Sequence, residues 1–161
     1  MVFNERIAII GLGYVGLPLA TEFAKKYKVV GYDVDISRIE ELKKGKDRTK
    51  EISKKKLLTN NNLFFTHNPN NMKNCDFFIL TVPTPITKNK KPDLTIIKKA
   101  ALTVAKVMKK GVTVILESTV YPGVTEDYLV PLLEKYSRFK HKKDFFVAYS
   151  PERINPGETK Y

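Results

Sequence analysis

The hydrophobic positions along the chain follow two alternating patterns. Short apolar runs rich in β-branched residues predict strands at 6–10, 28–32, 76–82, 112–117 and 145–149, with a weaker strand at 63–66. Between them, helical spacing or composition predicts helices at 14–26, 36–44, 50–58, 94–109 and 124–136, the last of which contains Pro131. Strands that are apolar on both faces and separated by helices are typical of a parallel sheet covered on both sides.

This alternation predicts the fold class. We expect an α/β protein of Rossmann type, a doubly wound sheet of about six parallel strands with right-handed crossovers and helices on both faces. Two mononucleotide-binding halves predict the strand order 3-2-1-4-5-6. Asp35 and Asp93 stand where N-caps are expected, and Gly111 follows the end of the 94–109 helix.

A glycine-rich segment follows the first predicted strand. Gly11, Gly13 and Gly16 fit the pattern G-x-G-x-x-G between a strand and a helix, which is where a dinucleotide site requires it. In this interpretation Gly11 permits a tight turn, Gly13 lets the backbone approach a diphosphate, and Gly16 lets the helix pack closely. The helix N-terminus, with about half a positive charge, suits a diphosphate.

An acid ends the second predicted strand. Asp33 lies 17 residues after Gly16 (33 − 16), where a carboxylate accepts hydrogen bonds from both adenosine ribose hydroxyls and repels the 2′-phosphate of NADP. We therefore expect NAD as the cofactor. Arg38 could in principle bind that 2′-phosphate, but we expect it over the adenine or near a phosphate of NAD. The simpler alternative is that Asp33 only caps a turn.

Three further loops follow predicted strands at the same edge, where ligands of open parallel sheets bind. Thr84, Ser118 and Thr119 offer hydrogen bonds to the nicotinamide ribose or amide, or to a water. In the last loop, Glu152 could act as a base, and Arg153 could bind a phosphate or a sugar hydroxyl. The alternative is that these loops, with their turn-forming prolines, only connect elements.

Composition narrows the class of protein. Of 161 residues, 42% are hydrophobic and 29% charged, as in ordinary globular domains. No apolar stretch approaches the roughly 20 residues of a membrane helix, and the start lacks a signal-peptide layout, so we expect a cytoplasmic protein without a membrane segment. The net charge of +12 suggests nucleic acid, but the lysines are scattered and not interleaved with aromatics. We expect solvated faces instead, whose field favours anionic ligands.

The single cysteine and the two histidines do not indicate a catalytic or metal-binding site. Cys75 is the single cysteine, so it cannot form an internal disulfide, and no metal-ligand cluster is visible in the sequence. It precedes the 76–82 strand at the edge opposite the ligand loops, which favours a packing role. His67 and His141 stand in polar surroundings and are expected to be solvated loop residues.

Five segments together resemble the UDP-glucose/GDP-mannose dehydrogenase family. They are 11–17, 31–35, 82–85, 117–120 with 122–123, and 150–153, in the family's order across nearly the whole chain. The stretch 150–157, Ser-Pro-Glu-Arg-Ile-Asn-Pro-Gly, is most similar to the branch that acts on UDP-N-acetylhexosamines. Pro156 stands where UDP-glucose dehydrogenases have a second glutamate, so the cofactor contact of that glutamate does not carry over.

The resemblance implies a four-electron oxidation that serves surface polysaccharide biosynthesis. The C6 alcohol of a UDP-hexose or UDP-N-acetylhexosamine would become an aldehyde and then, through a cysteine thioester, a carboxylate, with two NAD consumed. The implied NAD contacts are Tyr14, Val15, Asp33, Arg38, Thr84 and Thr119. Thr119 and Glu152 would be catalytic, with Glu152 acting through water, and Glu152, Arg153 and Ile154 would contact the sugar nucleotide.

The resemblance also implies parts that this chain lacks. The family's nucleophilic cysteine and its lysine lie beyond residue 161, as do a middle helix and a C-terminal UDP-binding domain. We therefore expect residues 1–161 to be the NAD-binding domain of a longer, homodimeric enzyme. This fragment alone should hold NAD weakly and should not complete the reaction.

Two alternatives remain open at this stage. Another Rossmann enzyme, such as an NAD-dependent β-hydroxyacid dehydrogenase, shares the glycine loop and the acid but does not need the 117–119 and 150–153 loops together. A non-catalytic module that responds to NAD or binds nucleic acid is the second. A gel shift that persists at physiological salt would support that module.

Overall fold

The computed structural model describes residues 3–87 and 89–151, which form a six-stranded parallel sheet with helices on both faces. The strands are β1 (Arg6–Ile10), β2 (Lys28–Tyr32), β3 (Leu63–Thr66), β4 (Phe77–Leu80), β5 (Thr113–Leu116) and β6 (Phe146–Tyr149). The helices are α1 (Gly16–Phe23), α2 (Ile36–Lys43), α3 (Lys54–Thr59), α4 (Thr95–Ala105) and α5 (Val130–Ser137), with a 3₁₀ turn at Pro69–Met72.

The strand order is β3-β2-β1-β4-β5-β6, which confirms the predicted topology. The chain builds outward from β1 to β3 and then returns to the other side of β1 to add β4. Ile10, the last residue of β1, is in register with Tyr32 of β2 and Leu80 of β4. The three strands therefore end level, and the loops that follow them meet at the point where the strand order reverses.

The core has two layers, one on each face of the sheet. Along β1, Ile7 and Ile9 pack into the layer formed with α1 and α2, whereas Ala8 and Ile10 pack into the layer formed with α4 and α5. All four side chains are buried. This two-sided burial explains why the strands are continuous apolar runs rather than alternating patterns.

The predicted helices were too long at their ends. The 14–26 and 94–109 predictions shorten to α1 and α4, the 50–58 prediction begins four residues later and ends one residue later as α3, and the 3₁₀ turn was not predicted. Asp35 caps α2 by accepting a hydrogen bond from Ser37 N at 2.9 Å. At α4 the N-cap position is Leu94, although Asp93 Oδ1 accepts a hydrogen bond from Thr95 N at 2.9 Å.

The predicted 124–136 helix is two elements, which resolves the position of Pro131. A π-helical turn covers Val124–Leu129 after Gly123, whose φ is 92°. The helix α5 then begins at Val130, so Pro131 lies in its first turn. Proline is tolerated there because the first N–H groups of a helix have no intrahelical acceptor.

Candidate dinucleotide-binding site

The glycine loop between β1 and α1 is shaped by backbone contacts that exclude side chains. Gly11 has a φ of 98°, and its N–H donates to the Tyr32 carbonyl at 2.9 Å. A Cβ on Gly16 would overlap the Gly11 carbonyl oxygen and the Thr81 hydroxyl. A Cβ on Gly13 would meet nothing within 4 Å. The loop is therefore tight where it packs on the sheet and open at Gly13, where a diphosphate would approach.

The Asp33 side chain connects this loop to the end of β2 by hydrogen bonds. Its Oδ2 accepts a hydrogen bond from Leu12 N at 2.8 Å, and its Oδ1 accepts one from Asp35 N at 3.0 Å. Each carboxylate oxygen can accept more than one hydrogen bond, so both retain capacity for ligand hydroxyls. The carboxylate also lines a crevice of about 420 Å³ beside the glycine loop.

The other wall of this crevice comes from α4. Ile96, Lys99, Ala100 and Thr103 line it, opposite the loop and Asp33. At its base, burial raises the pKa of Tyr32, partly offset by a side-chain hydrogen bond with Thr103. These residues form a helical stripe next to the buried stripe of α4. These four residues are not among the site residues predicted from the sequence, because helical spacing alone does not show which face of α4 lies beside Asp33.

A second cavity of about 310 Å³ continues from the loop toward the end of β5. It is lined by Gly13, Tyr14 and Val15 from the loop, by residues 81–84 after β4, and by residues 117–119 after β5. The three segments that were predicted to meet at this edge are therefore adjacent. The two cavities share Gly13 and residues 81–83 in their linings.

The hydroxyl groups predicted at this second cavity join its loops to each other. Ser118 Oγ donates to the Val82 carbonyl at 2.7 Å and is buried. Thr84 Oγ1 donates to the Thr119 carbonyl at 2.6 Å. Their oxygens can still accept hydrogen bonds, while Thr119 itself is exposed. The two loops are thus cross-linked before any cofactor binds.

Thr81 is a structural residue of the site that the sequence analysis did not identify. Its hydroxyl lies 3.0 Å from the Ile10 carbonyl and 2.7 Å from the Gly11 carbonyl. It therefore ties the end of β4 to the turn at Gly11. A hydroxyl residue directly after an apolar strand that neighbours β1 was the available signal.

Arg38 lies behind the glycine loop rather than over the crevice. It is 3% exposed; its Nε donates to the Leu12 carbonyl at 2.9 Å and its Nη2 to Asp47 Oδ1 at 2.8 Å. Its expected position over the adenine or near a phosphate of NAD stays a prediction. Its Nη1 is buried and has no hydrogen-bond partner among the residues that the structure describes. Contact with a cofactor oxygen through that nitrogen stays a prediction.

A second arginine, Arg48, also forms hydrogen bonds within the protein. Arg48 donates to Glu41 Oε2 at 2.6 Å, Asp35 Oδ2 at 2.9 Å and Ser37 Oγ at 2.7 Å. All three of its nitrogens are thus directed to groups within the protein. Arg48 is already occupied by these contacts, and the Asp33 carboxylate would repel a 2′-phosphate, which agrees with NAD rather than NADP.

Cys75 lies at the opposite edge of the sheet, as predicted. It is 1% exposed, and burial raises the pKa of its thiol to about 11. It is therefore a neutral packing residue rather than a nucleophile. His67 is exposed, whereas His141 is half-buried with its ring centroid 5.6 Å from that of Phe145. Glu152, Arg153 and Ile154 lie outside the described residues.

A 3-2-1-4-5-6 parallel sheet, with a glycine loop at its switch point and an acid at the end of β2, defines a dinucleotide-binding Rossmann domain. Residues 5–161 match the sequence model of the UDP-glucose/GDP-mannose dehydrogenase family, NAD binding domain. The chain belongs to that family, and its cofactor is NAD.

Individual relatives agree with this assignment. The chain is 55% identical to Protein CapL of Staphylococcus aureus, covering 96% of this chain and 36% of that protein. It is 53% identical to UDP-N-acetyl-D-glucosamine 6-dehydrogenase of Pseudomonas aeruginosa, covering 97% and 37%. The solved structure of UDP-D-ManNAc dehydrogenase from Pyrococcus horikoshii superposes with a TM-score of 0.88 at 41% identity, covering 94% and 37%.

The chain spans little more than a third of the length of these relatives. Within residues 3–87 and 89–151, no helix has the length and apolar character needed to cross a membrane.

Proposed function

We propose that this chain is the NAD-binding domain of a nucleotide-sugar 6-dehydrogenase. The full enzyme would oxidise the C6 alcohol of a UDP-N-acetylhexosamine or UDP-hexose to a carboxylate with two NAD, for surface polysaccharide biosynthesis. The observation that carries the proposal is the pair of cavities joined at Gly13, one beside Asp33 and one beside Ser118 and Thr119. The name of the 53% identical relative supports the substrate class.

The residues present fit NAD. The open space at Gly13 and the N-terminus of α1, which has no acidic residue in its first turn, suit a diphosphate. Asp33 would accept hydrogen bonds from the adenosine ribose, and the buried, unpartnered Nη1 of Arg38 would donate to a cofactor oxygen. Tyr14, Val15, Thr84, Ser118 and Thr119 would contact the nicotinamide half. NAD supplies the hydride acceptor.

The chain's own chemistry at the reacting C6 is assigned to two residues. The Thr119 hydroxyl is exposed at the second cavity and would hold the substrate alcohol or a water. Glu152 would accept a proton through water, and Glu152, Arg153 and Ile154 would contact the sugar nucleotide. The thioester step requires a cysteine and a lysine beyond residue 161, since Cys75 is buried at the other edge.

The full-length enzyme tests this function directly. With UDP-GlcNAc, UDP-ManNAc, UDP-GalNAc and UDP-glucose, we expect two NADH per sugar oxidised for at least one of them, and none with β-hydroxyacids. Thr119→Ala should lower kcat by about tenfold to a hundredfold, whereas Thr59→Ala, at an exposed hydroxyl on α3 that lines neither cavity, should not. Turnover of hydroxyacids alone would overturn the proposal.

The full-length enzyme should contain further domains and a second subunit. We place residues 1–161 at the start of a longer chain that continues into a middle helix and a UDP-binding domain, and we expect a cytoplasmic homodimer. Light scattering of the full-length enzyme should give twice the mass of one chain. The 161-residue fragment should bind NAD but release no NADH with any UDP-sugar.

A further inference from the structure

The peptide groups on either side of Leu12 are held from behind the glycine loop. The Leu12 N–H donates to Asp33 Oδ2 at 2.8 Å, and the Leu12 carbonyl accepts from Arg38 Nε at 2.9 Å. The Leu12 side chain is fully buried in the core below. Because Leu12 lies between Gly11 and Gly13, these contacts fix the direction of the backbone that a diphosphate meets.

Arg38 is in turn held by Asp47. Their side chains form an ion pair at 2.8 Å, and they are only 4% and 2% exposed. Removal of either partner of a buried ion pair is costly, because it leaves the other charge unpaired and desolvated. The orientation of the Arg38 guanidinium, and therefore of its bond to the Leu12 carbonyl, depends on Asp47.

Asp47 also organises the segment that follows it. Its Oδ1 accepts from Thr49 N at 3.0 Å and from Thr49 Oγ1 at 2.7 Å. Its Oδ2 accepts from Glu51 N at 2.9 Å and Ile52 N at 3.0 Å. Burial alone would raise the pKa of Asp47, but these hydrogen bonds and the one from Arg38 outweigh it and lower the pKa. The carboxylate is therefore ionised at neutral pH.

We propose that Asp47 is a positioning residue for NAD, acting through Arg38 and the Leu12 carbonyl on the diphosphate loop. It lines neither of the two cavities and would touch no atom of the cofactor. The inference rests on the assignment of the Gly11–Gly16 loop as the diphosphate site. The affinity for ligands with a diphosphate, such as NAD and ADP-ribose, should therefore depend on Asp47 although they do not contact it.

Calorimetric titration of the 161-residue chain with NAD and with ADP-ribose tests the proposal. Asp47→Asn removes the charge at nearly constant volume, and both dissociation constants should rise by about fivefold to thirtyfold, the effect of losing a charge-assisted hydrogen bond. The matched control is Asp76→Asn, at the other edge, where a carboxylate also accepts from a backbone N–H and pairs with a cation. That control should lower the melting temperature but change the NAD dissociation constant by less than about twofold.

A double-mutant cycle distinguishes an effect of Asp47 on the diphosphate loop through Arg38 from a general loss of stability. In an Arg38→Met background, Asp47→Asn should produce no further loss of NAD affinity, because its route to the loop is already broken. Thr49→Val, which removes only the 2.7 Å hydroxyl bond to Asp47, provides a milder variant if Asp47→Asn does not fold. It should weaken NAD binding by about twofold to threefold.

Three results would overturn the proposal. Unchanged NAD affinity in Asp47→Asn or Thr49→Val with a lowered melting temperature would mean a structural role only. An equal loss in the Arg38→Met background would mean that Asp47 does not act through Arg38. Failure of the unmutated chain to bind either ligand would instead reject the cofactor site itself, and the proposal with it.

Discussion

Two aspartates at opposite edges of the sheet make the same backbone contact in different surroundings. Asp76, just before β4, accepts a hydrogen bond from Arg6 N at 2.9 Å, at the start of β1. Asp33, just after β2, accepts one from Leu12 N at 2.8 Å, beyond the end of β1. Asp76 also pairs with Lys109 at 2.8 Å. Among the described residues, Asp33 has no such ion pair and faces the crevice.

The difference separates an edge that stabilises the fold from the edge where we propose that NAD binds. At the amino edge, charges neutralise one another, as Lys109 does Asp76 and Lys110 does Asp144 at 2.9 Å. At the carboxyl edge, Asp33 and the open side of Gly13 keep capacity for a ligand. A carboxylate that is already held by backbone hydrogen bonds loses little side-chain entropy when it binds a ribose.

The largest effect that we expect from this comparison is on stability at Gly16. Gly16→Ala would drive a Cβ into the Gly11 carbonyl and should cost more than about 3 kcal/mol of unfolding free energy. At the amino edge, Gly111 has a φ of 86° and no neighbour within 4 Å of a Cβ. Gly111→Ala should cost about 1 kcal/mol. Denaturant unfolding measures both, and equal losses would refute the close approach at Gly16.

The second-largest effect is expected on NAD affinity, with little change in the unfolding free energy. Gly13→Ala places a methyl group in the open space before the loop, so NAD affinity should fall by about 1.5–3 kcal/mol as hydrogen bonds to the diphosphate are lost. The unfolding free energy should change by less than about 0.5 kcal/mol. Calorimetry and denaturation on the same sample check the two parts. Retained NAD affinity would place the diphosphate elsewhere.

The two aspartates themselves provide the third test. Asp33→Ala should weaken NAD binding by about 1–3 kcal/mol, the cost of unpairing polar groups, which includes the Leu12 N–H. Asp76→Ala should destabilise the fold but leave NAD affinity within about 0.5 kcal/mol of the original. Titration calorimetry distinguishes the two variants. An equal loss of NAD affinity in both would contradict the proposed difference between the two edges.

The smallest effect is on acid stability at the amino edge. The hydrogen bond from Lys109 and that from Arg6 N hold the pKa of Asp76 below its usual range. A lowered folded pKa stabilises the protein above the unfolded value of about 3.9, and this contribution disappears as the pH falls through the folded pKa. Unfolding free energy should therefore decrease below about pH 4, and less steeply in Asp76→Asn. An unchanged slope in that variant would contradict the shift.

The features that could be predicted from sequence are local ones. Apolar runs, helical spacing and the glycine loop with Asp33 each depend on residues close together in the chain, and the family resemblance joined them in order. They were sufficient for the strand order. Helix ends were predicted less well, because apolar spacing does not determine the residue at which α1 or α4 ends.

The features that could not be predicted depend on distant partners. Arg38 is held by the Leu12 carbonyl and by Asp47, which lie 26 and 9 positions away in the chain. The role of Thr81 depends on its meeting Gly11, 70 residues away. The crevice wall on α4 became visible only once the helix was packed beside Asp33. None of these contacts has a signal in local periodicity.

A crystal structure of the 161-residue chain soaked with NAD tests the central claim most directly. It should place the diphosphate against the backbone of residues 11–16, with both adenosine ribose hydroxyls within hydrogen-bond distance of the Asp33 carboxylate. Electron density for NAD at another surface, or a bound adenosine ribose turned away from Asp33, would contradict the account.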